Sequence, residues 1–390
     1  MALSITQTPA NVSLAQSPII FSVLESNAAL ITSSSFQYIG ELYYWQGALT
    51  NSGSSANYVI TKYANTSNTG IFDLNRIINS TLTDYAQANP SNVVYFAADF
   101  YTQYLSGTTY ITGSHVKSAT YKALDGYSIF QEPIGQQVYS KTPHWPLMTD
   151  GPTTQSVFID NQGSGSIYVG TTGATQPTRV VYLSNLGAGS YSVTGSTSTA
   201  TTGQIAQYPL FPAQSGFPFA TAGLEWYSVQ PWDASAALGT TIRFNVTCKQ
   251  KYPNVRIKWK NRYGRFDFMN FDLVSRESFQ TERKTYQPQL GSWEASSLSY
   301  ENYDTANQAY IVDSKQGLSV NSNWLDESYN DILKQLLVSD EIYWIYNEST
   351  GAIRPLTITT QNIVFKTGVV DKLIQYQFDF QYGQPYKLII

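Results

Sequence analysis

The sequence predicts a mainly β protein with two or three β-sandwich-like or β-barrel-like domains and two helices. Segments rich in β-branched and aromatic residues recur along the chain, and clusters of Ser, Asn and Gly separate them. The 390 residues are enough chain for several separate cores. Aromatic residues make up 14% of the sequence, whereas disordered chains contain few aromatics and a high net charge.

The first domain is predicted at residues 1–140, as a β-sandwich. Its strands are expected at residues 19–24, 36–45, 58–61 and 93–100, a spacing typical of sandwiches. Apolar residues at intervals of three and four also predict one short helix near residues 71–85. These residues are Ile71, Leu74, Ile77, Ile78 and Leu82.

The second domain is predicted at residues 141–265, after a stretch in which regular patterns weaken and turn residues cluster. Its strands are expected at residues 157–160, 166–169, 179–183, 241–248 and 255–259. Residues 184–222 are rich in Gly, Ser, Thr and Pro, which predicts long surface loops.

The third domain is predicted at residues 266–390, as a β domain with one amphipathic helix near residues 324–338. Asn323 is the expected N-cap of this helix, and Asp326 and Glu327 lie in its first turn. Its apolar stripe comprises Leu325, Tyr329, Ile332, Leu333, Leu336 and Leu337. We expect the stripe to pack on a sheet that contains Ile374, Tyr376, Phe378 and Phe380. The strands are expected at residues 265–273, 341–346, 355–365 and 373–380.

The composition excludes several classes of protein. Cys248 is the single cysteine, so the chain cannot form an internal disulfide. Cys248, His115 and His144 supply only three N or S ligands, whereas a zinc site of this kind needs four. We therefore predict no metal and no cofactor. The chain shows no signal peptide and no apolar span of membrane length, so we expect a soluble protein made in a cytoplasm, with no membrane partner. The net charge of -4 argues against nucleic acid as a partner of the whole molecule.

Most catalytic signatures are absent from the sequence, which predicts a protein that is not an enzyme. His115 follows Ser114, and adjacent residues of an extended segment point to opposite faces. The alternative is a glycoside hydrolase that uses two carboxylates, although no spacing selects a pair among Glu294, Glu301, Asp304 and Asp313. A second alternative is glycan binding by exposed aromatic residues, for which core or interface packing is the competing interpretation. These residues are Tyr43, Tyr44, Trp45, Trp226 and Trp232.

A basic stripe runs from residue 243 to residue 265, where eight of the 23 Lys and Arg residues occur without any acid. Basic and apolar residues alternate in residues 255–260, so we expect one cationic strand face and one packed face. The expected partner is an acidic surface, first of all that of a neighbouring subunit, with nucleic acid as the second candidate. Such a face would influence assembly more than stability. The candidate partner-binding residues are Arg243, Arg256, Lys258, Lys260, Arg262 and Arg265.

Two segments carry a resemblance to a known class of proteins. Residues 256–267 (RIKWKNRYGRFD) are similar to an element of structural proteins of tailed bacteriophage virions, in which an Asn-x-x-Gly turn joins two strands. Residues 324–380 resemble a helix followed by strands in the same class of proteins. The resemblance implies a non-enzymatic oligomeric ring or layer in the tail, neck or baseplate. It also implies location in the virion after synthesis in the host cytoplasm, with copies of the chain and other virion proteins as partners. A receptor- or glycan-binding appendage, as a head-fibre or tail-fibre module, is the alternative.

Overall fold

The computed structural model describes residues 3–46, 55–82, 86–88, 93–129, 144–170, 177–193, 204–248, 252–291, 296–368 and 374–386. Strands account for 48% of the residues and helices for 7%, so the predicted mainly β class is confirmed. The described strands form five hydrogen-bonded sheets. They are arranged in three units, which we call the N-terminal, middle and C-terminal units.

The N-terminal unit contains a three-stranded sheet and a six-stranded sheet that share one core. Phe100 of the larger sheet contacts Phe21 and Phe72 of the smaller one, with ring centroids 5.3 and 5.0 Å apart. The smaller sheet consists of β1 (Ser4–Gln7), β3 (Ile20–Leu24) and β6 (Thr69–Asp73). The larger consists of β2 (Val12–Leu14), β4 (Gln37–Gln46), β5 (Tyr58–Lys62), β7 (Val94–Ser106), β8 (Thr109–Lys117) and β9 (Tyr121–Leu124). The strands predicted in this region correspond to β3, β4, β5 and β7.

The helices of the N-terminal unit are short. They are α1 (Ala28–Ile31) and α2 (Asn75–Thr81). The helix predicted near residues 71–85 begins later than expected because residues 69–73 form β6, where Ile71 is 49% exposed. Ile71 therefore matched the helical period by coincidence.

The middle unit contains a five-stranded and a two-stranded sheet around one core. The five strands are β10 (Thr154–Val157), β12 (Arg179–Ser184), β13 (Gly187–Ser192), β15 (Trp226–Trp232) and β16 (Ile242–Val246). The two are β11 (Ser164–Val169) and β14 (Gln204–Pro209).

Two expectations for the middle unit are wrong in part. The predicted loops at residues 184–222 contain β13 and β14, and Tyr208 and Phe211 in this region are buried in the core. Aromatic residues in a Ser- and Gly-rich background can thus still form buried strands. Residues 194–203 of the predicted loops lie outside the described residues. The strand predicted at 157–160 ends at Val157, because Asn161 closes a turn by accepting a hydrogen bond of 3.0 Å from the Phe158 N–H.

The C-terminal unit is built on a seven-stranded antiparallel sheet in the order β18-β17-β21-β22-β23-β20-β19. The strands are β17 (Val255–Lys260), β18 (Phe266–Phe271), β19 (Arg276–Tyr286), β20 (Gln308–Asn321), β21 (Ile342–Asn347), β22 (Ala352–Ile358) and β23 (Gln377–Tyr382). The predicted domain boundary at 265/266 falls between β17 and β18, which pair with each other. The sheet therefore begins ahead of that boundary. The last two strands differ from their predicted ranges, 355–365 and 373–380, by several residues at their ends.

The amphipathic helix begins later than predicted. A 3-10 turn at Glu327–Tyr329 leads into α3 (Asn330–Val338), and the turn is capped by Asp326, whose side chain accepts from the Ser328 N–H, and not by Asn323. The stripe residues Ile332, Leu333 and Leu336 share one core with Phe378 and Phe380 of β23, and with Ile374 and Tyr376, which precede this strand. The predicted packing of the helix on this part of the chain is confirmed.

A long hairpin formed by β19 and β20 extends from the edge of this sheet. β20 pairs with β23 only at residues 317–321, so the remainder of the hairpin is two-stranded. We call this remainder the ribbon: residues 279–286 of β19 and residues 308–316 of β20. All eleven residues of β19 are exposed. The sequence reasoning predicted no strand here.

Candidate functional site

Five residues of the predicted basic stripe lie inside the chain, not on its surface. Arg256, Lys258, Lys260, Arg262 and Arg265 are between 1% and 9% exposed. One face of β17 packs on the core beneath α3, and its opposite face is covered by the other two units, so all six of its residues are buried. The expectation of an exposed cationic face is wrong for these five residues, because acids from distant parts of the chain approach them. We call the five residues and their acidic partners the basic junction.

Lys260 joins the N-terminal and C-terminal units. Its Nζ lies 2.9 Å from Asp125, 3.2 Å from Asp340 and 3.8 Å from Glu341. Burial acts to lower the pKa of Lys260, but its hydrogen bonds and charge contacts with Asp125 and Asp340 raise it above the ordinary value. Glu341 in turn accepts a hydrogen bond of 2.7 Å from the Ala86 N–H.

Arg256 joins the middle and C-terminal units. Its Nη1 donates to Glu348, at 2.9 Å, and to the backbone carbonyl of Gln162. The guanidinium lies over the Phe211 ring, 4.2 Å from the centroid, and 5.0 Å from the centroid of Phe268. Cation–π contacts of this kind stabilise a desolvated cation.

Lys258 contacts another part of the N-terminal unit. Its ammonium donates to Gln87 and lies 4.8 Å from the centroid of the Phe266 ring. Burial lowers the pKa of Lys258 to about 8, although the charge of Glu341 opposes the shift. Burial likewise lowers the pKa of Arg265, to about 10.

The Asn-x-x-Gly turn between β17 and β18 is inserted where the three units meet. Asn261 closes it by accepting hydrogen bonds of 3.0 Å from the N–H groups of Tyr263 and Arg265. Gly264 has a φ of +70°, and a Cβ at this position would overlap the carbonyl oxygen of Asp125. The Tyr263 ring belongs to a core cluster with residues of both other units, including Leu14 and Tyr168.

Asp150 receives the polar side chains of this turn. Arg262 donates to both of its carboxylate oxygens, and the Tyr263 hydroxyl donates to Oδ1 at 2.8 Å. Gln335 of α3 donates to Oδ2 at 2.9 Å. Asp150 thereby connects the start of the middle unit to two elements of the C-terminal unit.

Arg243 is exposed, unlike the other five candidate partner-binding residues. It lies on β16, where its guanidinium is 4.3 Å from the centroid of the Trp226 ring and its Nε donates to Asn245 at 3.1 Å. These contacts leave its charge accessible to solvent. Arg243 therefore does not belong to the basic junction.

The two histidines lie in different units, His115 on β8 of the N-terminal unit and His144 at the start of the middle unit. His144 is 1% exposed, and one of its ring nitrogens lies 2.8 Å from the Gly151 carbonyl oxygen. Burial lowers the pKa of His144, which favours its neutral form. His115 stacks on Tyr101, with ring centroids 4.6 Å apart.

The structure does not bring the candidate carboxylates to a cleft. Glu301 and Asp304 lie in the exposed connection at the end of the ribbon, and Asp313 is exposed on β20. Asp304 accepts a hydrogen bond of 2.8 Å from the Glu301 N–H, a contact that shapes the loop. Glu294 lies outside the described residues.

The ribbon carries apolar side chains that the rest of the described chain covers only in part. The exposed fractions are 52% for Phe279, 46% for Tyr286, 58% for Tyr310 and 38% for Ile311. Phe279 contacts Tyr386 edge-on, with centroids 5.2 Å apart. The β-branched and aromatic residues at 310–312 are the sequence signal that could have located this hairpin.

A cleft of about 460 Å³ lies between the middle and C-terminal units. Trp324 is 56% exposed and lines this cleft together with Asn323, Asp272 and Arg256. Asn323 donates to Asp272 Oδ2 at 3.0 Å, while Oδ1 of this buried carboxylate has no hydrogen-bond partner among the described residues. Burial raises the pKa of Asp272. The cleft thus combines an exposed indole ring with polar groups, as sugar-binding sites do.

The described part of the chain holds no cluster of three or more His, Cys, Asp or Glu side chains placed to bind a metal ion. Within the same ranges, no helix has the length and apolar character needed to cross a membrane. Comparison with models of known protein families gives no match, and comparison with curated protein sequences gives none either.

Proposed function

We propose that this chain is a non-enzymatic structural protein that assembles with copies of itself into an oligomeric ring or layer. In line with its resemblance to tailed-phage proteins, the proposed location is the tail, neck or baseplate of a virion, with other virion proteins as further partners. The observation that carries the proposal is the ribbon.

A two-stranded hairpin is at best marginally stable in water when nothing covers it. The ribbon pairs with no third strand among the described residues, and it exposes the aromatic rings of Phe279, Tyr286 and Tyr310. The basic junction, by contrast, binds the three units together through ion pairs formed inside the chain. The described chain therefore combines three units joined by buried contacts with a projecting ribbon that pairs with no third strand, as is common in subunits whose arms become ordered on neighbours.

The test compares two triple variants of the purified protein. In the first, Phe279, Tyr286 and Tyr310 are replaced by Ser. In the matched control, Tyr58, Tyr63 and Tyr110, which are 52%, 73% and 53% exposed outside the ribbon, are replaced by Ser. We expect light scattering and negative-stain images to show oligomers for the wild type and the control, and monomers with unchanged melting for the ribbon variant.

Two results would contradict this proposal. One is a wild-type protein that stays monomeric at every concentration and forms no particles. The other is a ribbon variant that assembles as readily as the wild type.

The cleft beside Trp324 supports a second candidate function, that of a receptor- or glycan-binding appendage. Its polar groups, Asp272 and Asn323, lie beside the exposed ring, where they could bind sugar hydroxyls while the indole stacks on a sugar face. Binding to a glycan array should then be lost on Trp324→Ala and retained on Trp226→Ala, a half-buried tryptophan outside the cleft. An array without any bound glycan would remove this candidate.

A further inference from the structure

The outer edge of β19 is the feature from which we infer a specific contact between two copies. Among the described residues, β19 is the last strand of the seven-stranded sheet, and no other strand pairs with the edge that faces away from β20. Its eleven residues are all exposed. An edge of this length presents a row of unpaired N–H and C=O groups that can pair with a strand of another chain.

We propose that two copies of the chain pair through β19 in an antiparallel arrangement centred on Phe279, which joins their two sheets into one. This inference rests on the proposed assembly function and names the partner as a second copy. It also specifies the register, and the register follows from geometry and charge.

Geometry restricts the registers first. Along a strand, the N–H and C=O groups of consecutive residues point to opposite edges of the strand. In an antiparallel pair, two directly opposed residues either both point these groups towards the partner strand or both point them away from it. When a strand pairs with its own copy, opposed residues are therefore separated by an even number of positions. Each allowed register is centred on one residue that lies opposite itself.

Charge then excludes most of these registers. Centres at Glu282, Arg283 or Lys284 place two like charges directly opposite each other, which destabilises a strand pair. A centre at Gln280 places Arg276 opposite Lys284 on both sides of the axis, a repulsion that offsets the attraction between Glu277 and Arg283 in the same register. Centres at residues 278 and 281 create neither repulsion nor ion pairs.

The register centred on Phe279 places Arg276 of each copy opposite Glu282 of the partner subunit. Two ion pairs then lie on the face of the sheet opposite to the pair of Phe279 rings, one on each side of the two-fold axis, and no like charges are opposed. Aromatic pairs and opposite charges are the cross-strand contacts that stabilise antiparallel sheets. Among the centres at residues 278–284, this register alone gives complementary charges without repulsion.

The isolated chain leaves these charges unsatisfied. Glu282 lies directly opposite Asp313 of β20, which brings two carboxylates together. Neither Glu282 nor Arg276 forms an ion pair within the described ranges. Arg276 of the partner subunit would supply the cation that Glu282 lacks.

The two faces of the paired sheet would also match. Glu277 pairs with Leu318 in the chain, so Phe279, two residues further along β19, lies on the same face as Leu318, which belongs to the core under α3. A two-fold axis perpendicular to the sheet keeps this face on one side in both copies. The Phe279 pair would then continue the apolar side of the sheet from one copy to the other.

The opposite edge of the same sheet is a poor alternative partner. Every residue of β18 is buried or half-buried, and Phe268 of this strand packs on Phe211 of the middle unit, with ring centroids 5.2 Å apart. Charged residues on an edge strand often prevent pairing. On β19, however, Arg276 and Glu282 are placed so that the charges of two copies attract each other. The charges of this edge therefore favour pairing with a second copy and do not prevent it.

A charge exchange tests the register. Arg276→Glu and Glu282→Arg should each weaken self-association by about tenfold or more, because each replaces two attractive pairs by two repulsive ones. The double variant Arg276→Glu/Glu282→Arg should regain self-association close to that of the wild type. Arg283→Glu, which makes the same charge change opposite Ser275, is the matched control and should have little effect. Sedimentation equilibrium measures all four.

A cysteine crosslink tests the centre independently, in a Cys248→Ser background. Directly opposed antiparallel residues have Cα atoms about 4.5–5.5 Å apart, within the range for a disulfide, so Phe279→Cys should form a covalent dimer on mild oxidation. Thr281→Cys is the control, since its two copies would be four residues apart along the pair, roughly 13 Å.

The outcomes separate this inference from the proposed function. Oligomers without a Phe279→Cys crosslink, or without rescue by the double charge exchange, would overturn the register and leave assembly in place. A protein that remains monomeric and does not crosslink would overturn both.

Discussion

Lys260 and Asp125 form a buried ion pair of 2.9 Å between residues that are far apart in the sequence. Lys260 ends β17 in the C-terminal unit, and Asp125 follows β9 in the N-terminal unit. Both side chains are less than 10% exposed. The pair is one contact of the basic junction. The sequence predicted that Lys260 would face another subunit, whereas this cation binds an acid of its own chain and stabilises its fold.

We expect Lys260→Met to lower the free energy of unfolding by about 3 to 5 kcal/mol, because it leaves Asp125 and Glu341 buried without their cation. Urea denaturation measures the change. Lys334→Met is the control: Lys334 pairs with Asp331 at the surface, with side chains 57% and 76% exposed, so the loss should be about 0 to 1 kcal/mol. Equal effects of the two replacements would argue against the basic junction as a source of stability.

Gly264→Ala should be far more destabilising than Gly351→Ala. Both glycines have positive φ, +70° and +65°, so both replacements carry a backbone cost of about 1 kcal/mol. At Gly351 nothing lies within 4 Å of the new Cβ, whereas at Gly264 it would overlap Asp125. We expect a further loss of roughly 1 to 3 kcal/mol at Gly264, measured by chemical denaturation. Equal losses at the two sites would show that the turn can move away from Asp125.

Leu333→Ala should destabilise the C-terminal unit by about 2 to 5 kcal/mol, since the side chain is fully buried between α3 and the sheet. Val338→Ala, at a position of the same helix that is 64% exposed, should change stability by less than about 0.5 kcal/mol. Thermal unfolding followed by circular dichroism provides the comparison. A Leu333 variant that melts like the wild type would place this side chain outside the core.

Stability should fall as the pH rises from about 4 to 7 because of Asp267. Burial raises the pKa of this carboxyl group to about 7, from an ordinary 3.8, although Thr149 donates a hydrogen bond to it. In this window the folded state binds more protons than the unfolded state, so Asp267 contributes a slope of about -1.4 kcal/mol per pH unit. Asp267→Asn should remove that contribution, and the exposed control Asp331→Asn should not. Denaturation midpoints across this pH range check the slope, and an identical pH profile for Asp267→Asn and wild type would contradict the assignment.

Elements that carry a strong local pattern were predictable from the sequence. The alternation in residues 255–260 located β17, and the apolar spacing of Ile332, Leu333 and Leu336 located α3 and the face that it buries. Both patterns arise because one side of each element packs on a core.

The basic junction was not predictable in the same way, because its acids come from distant segments. Asp125, Asp150 and Glu348 pair with the stripe only after the three units have folded against one another. From the sequence window alone, the stripe has no acid and therefore resembles a surface. The ribbon was missed for the opposite reason: β19 is exposed on both faces, so no hydrophobic period marks it as a strand.

The turn at residues 261–264 is inserted among the three units, and this position determines when the units can dock on one another during translation. Asp125 and Asp150 leave the ribosome more than a hundred residues before Lys260 and Gln335, the partners that they contact in the C-terminal unit. Translation proceeds from the N-terminus, and domains fold as units while they emerge. The first two units therefore keep these carboxylates exposed, and cannot complete their contacts with the C-terminal unit, until α3 has been synthesised. Docking of the three units is therefore a late step, which follows completion of most of the chain.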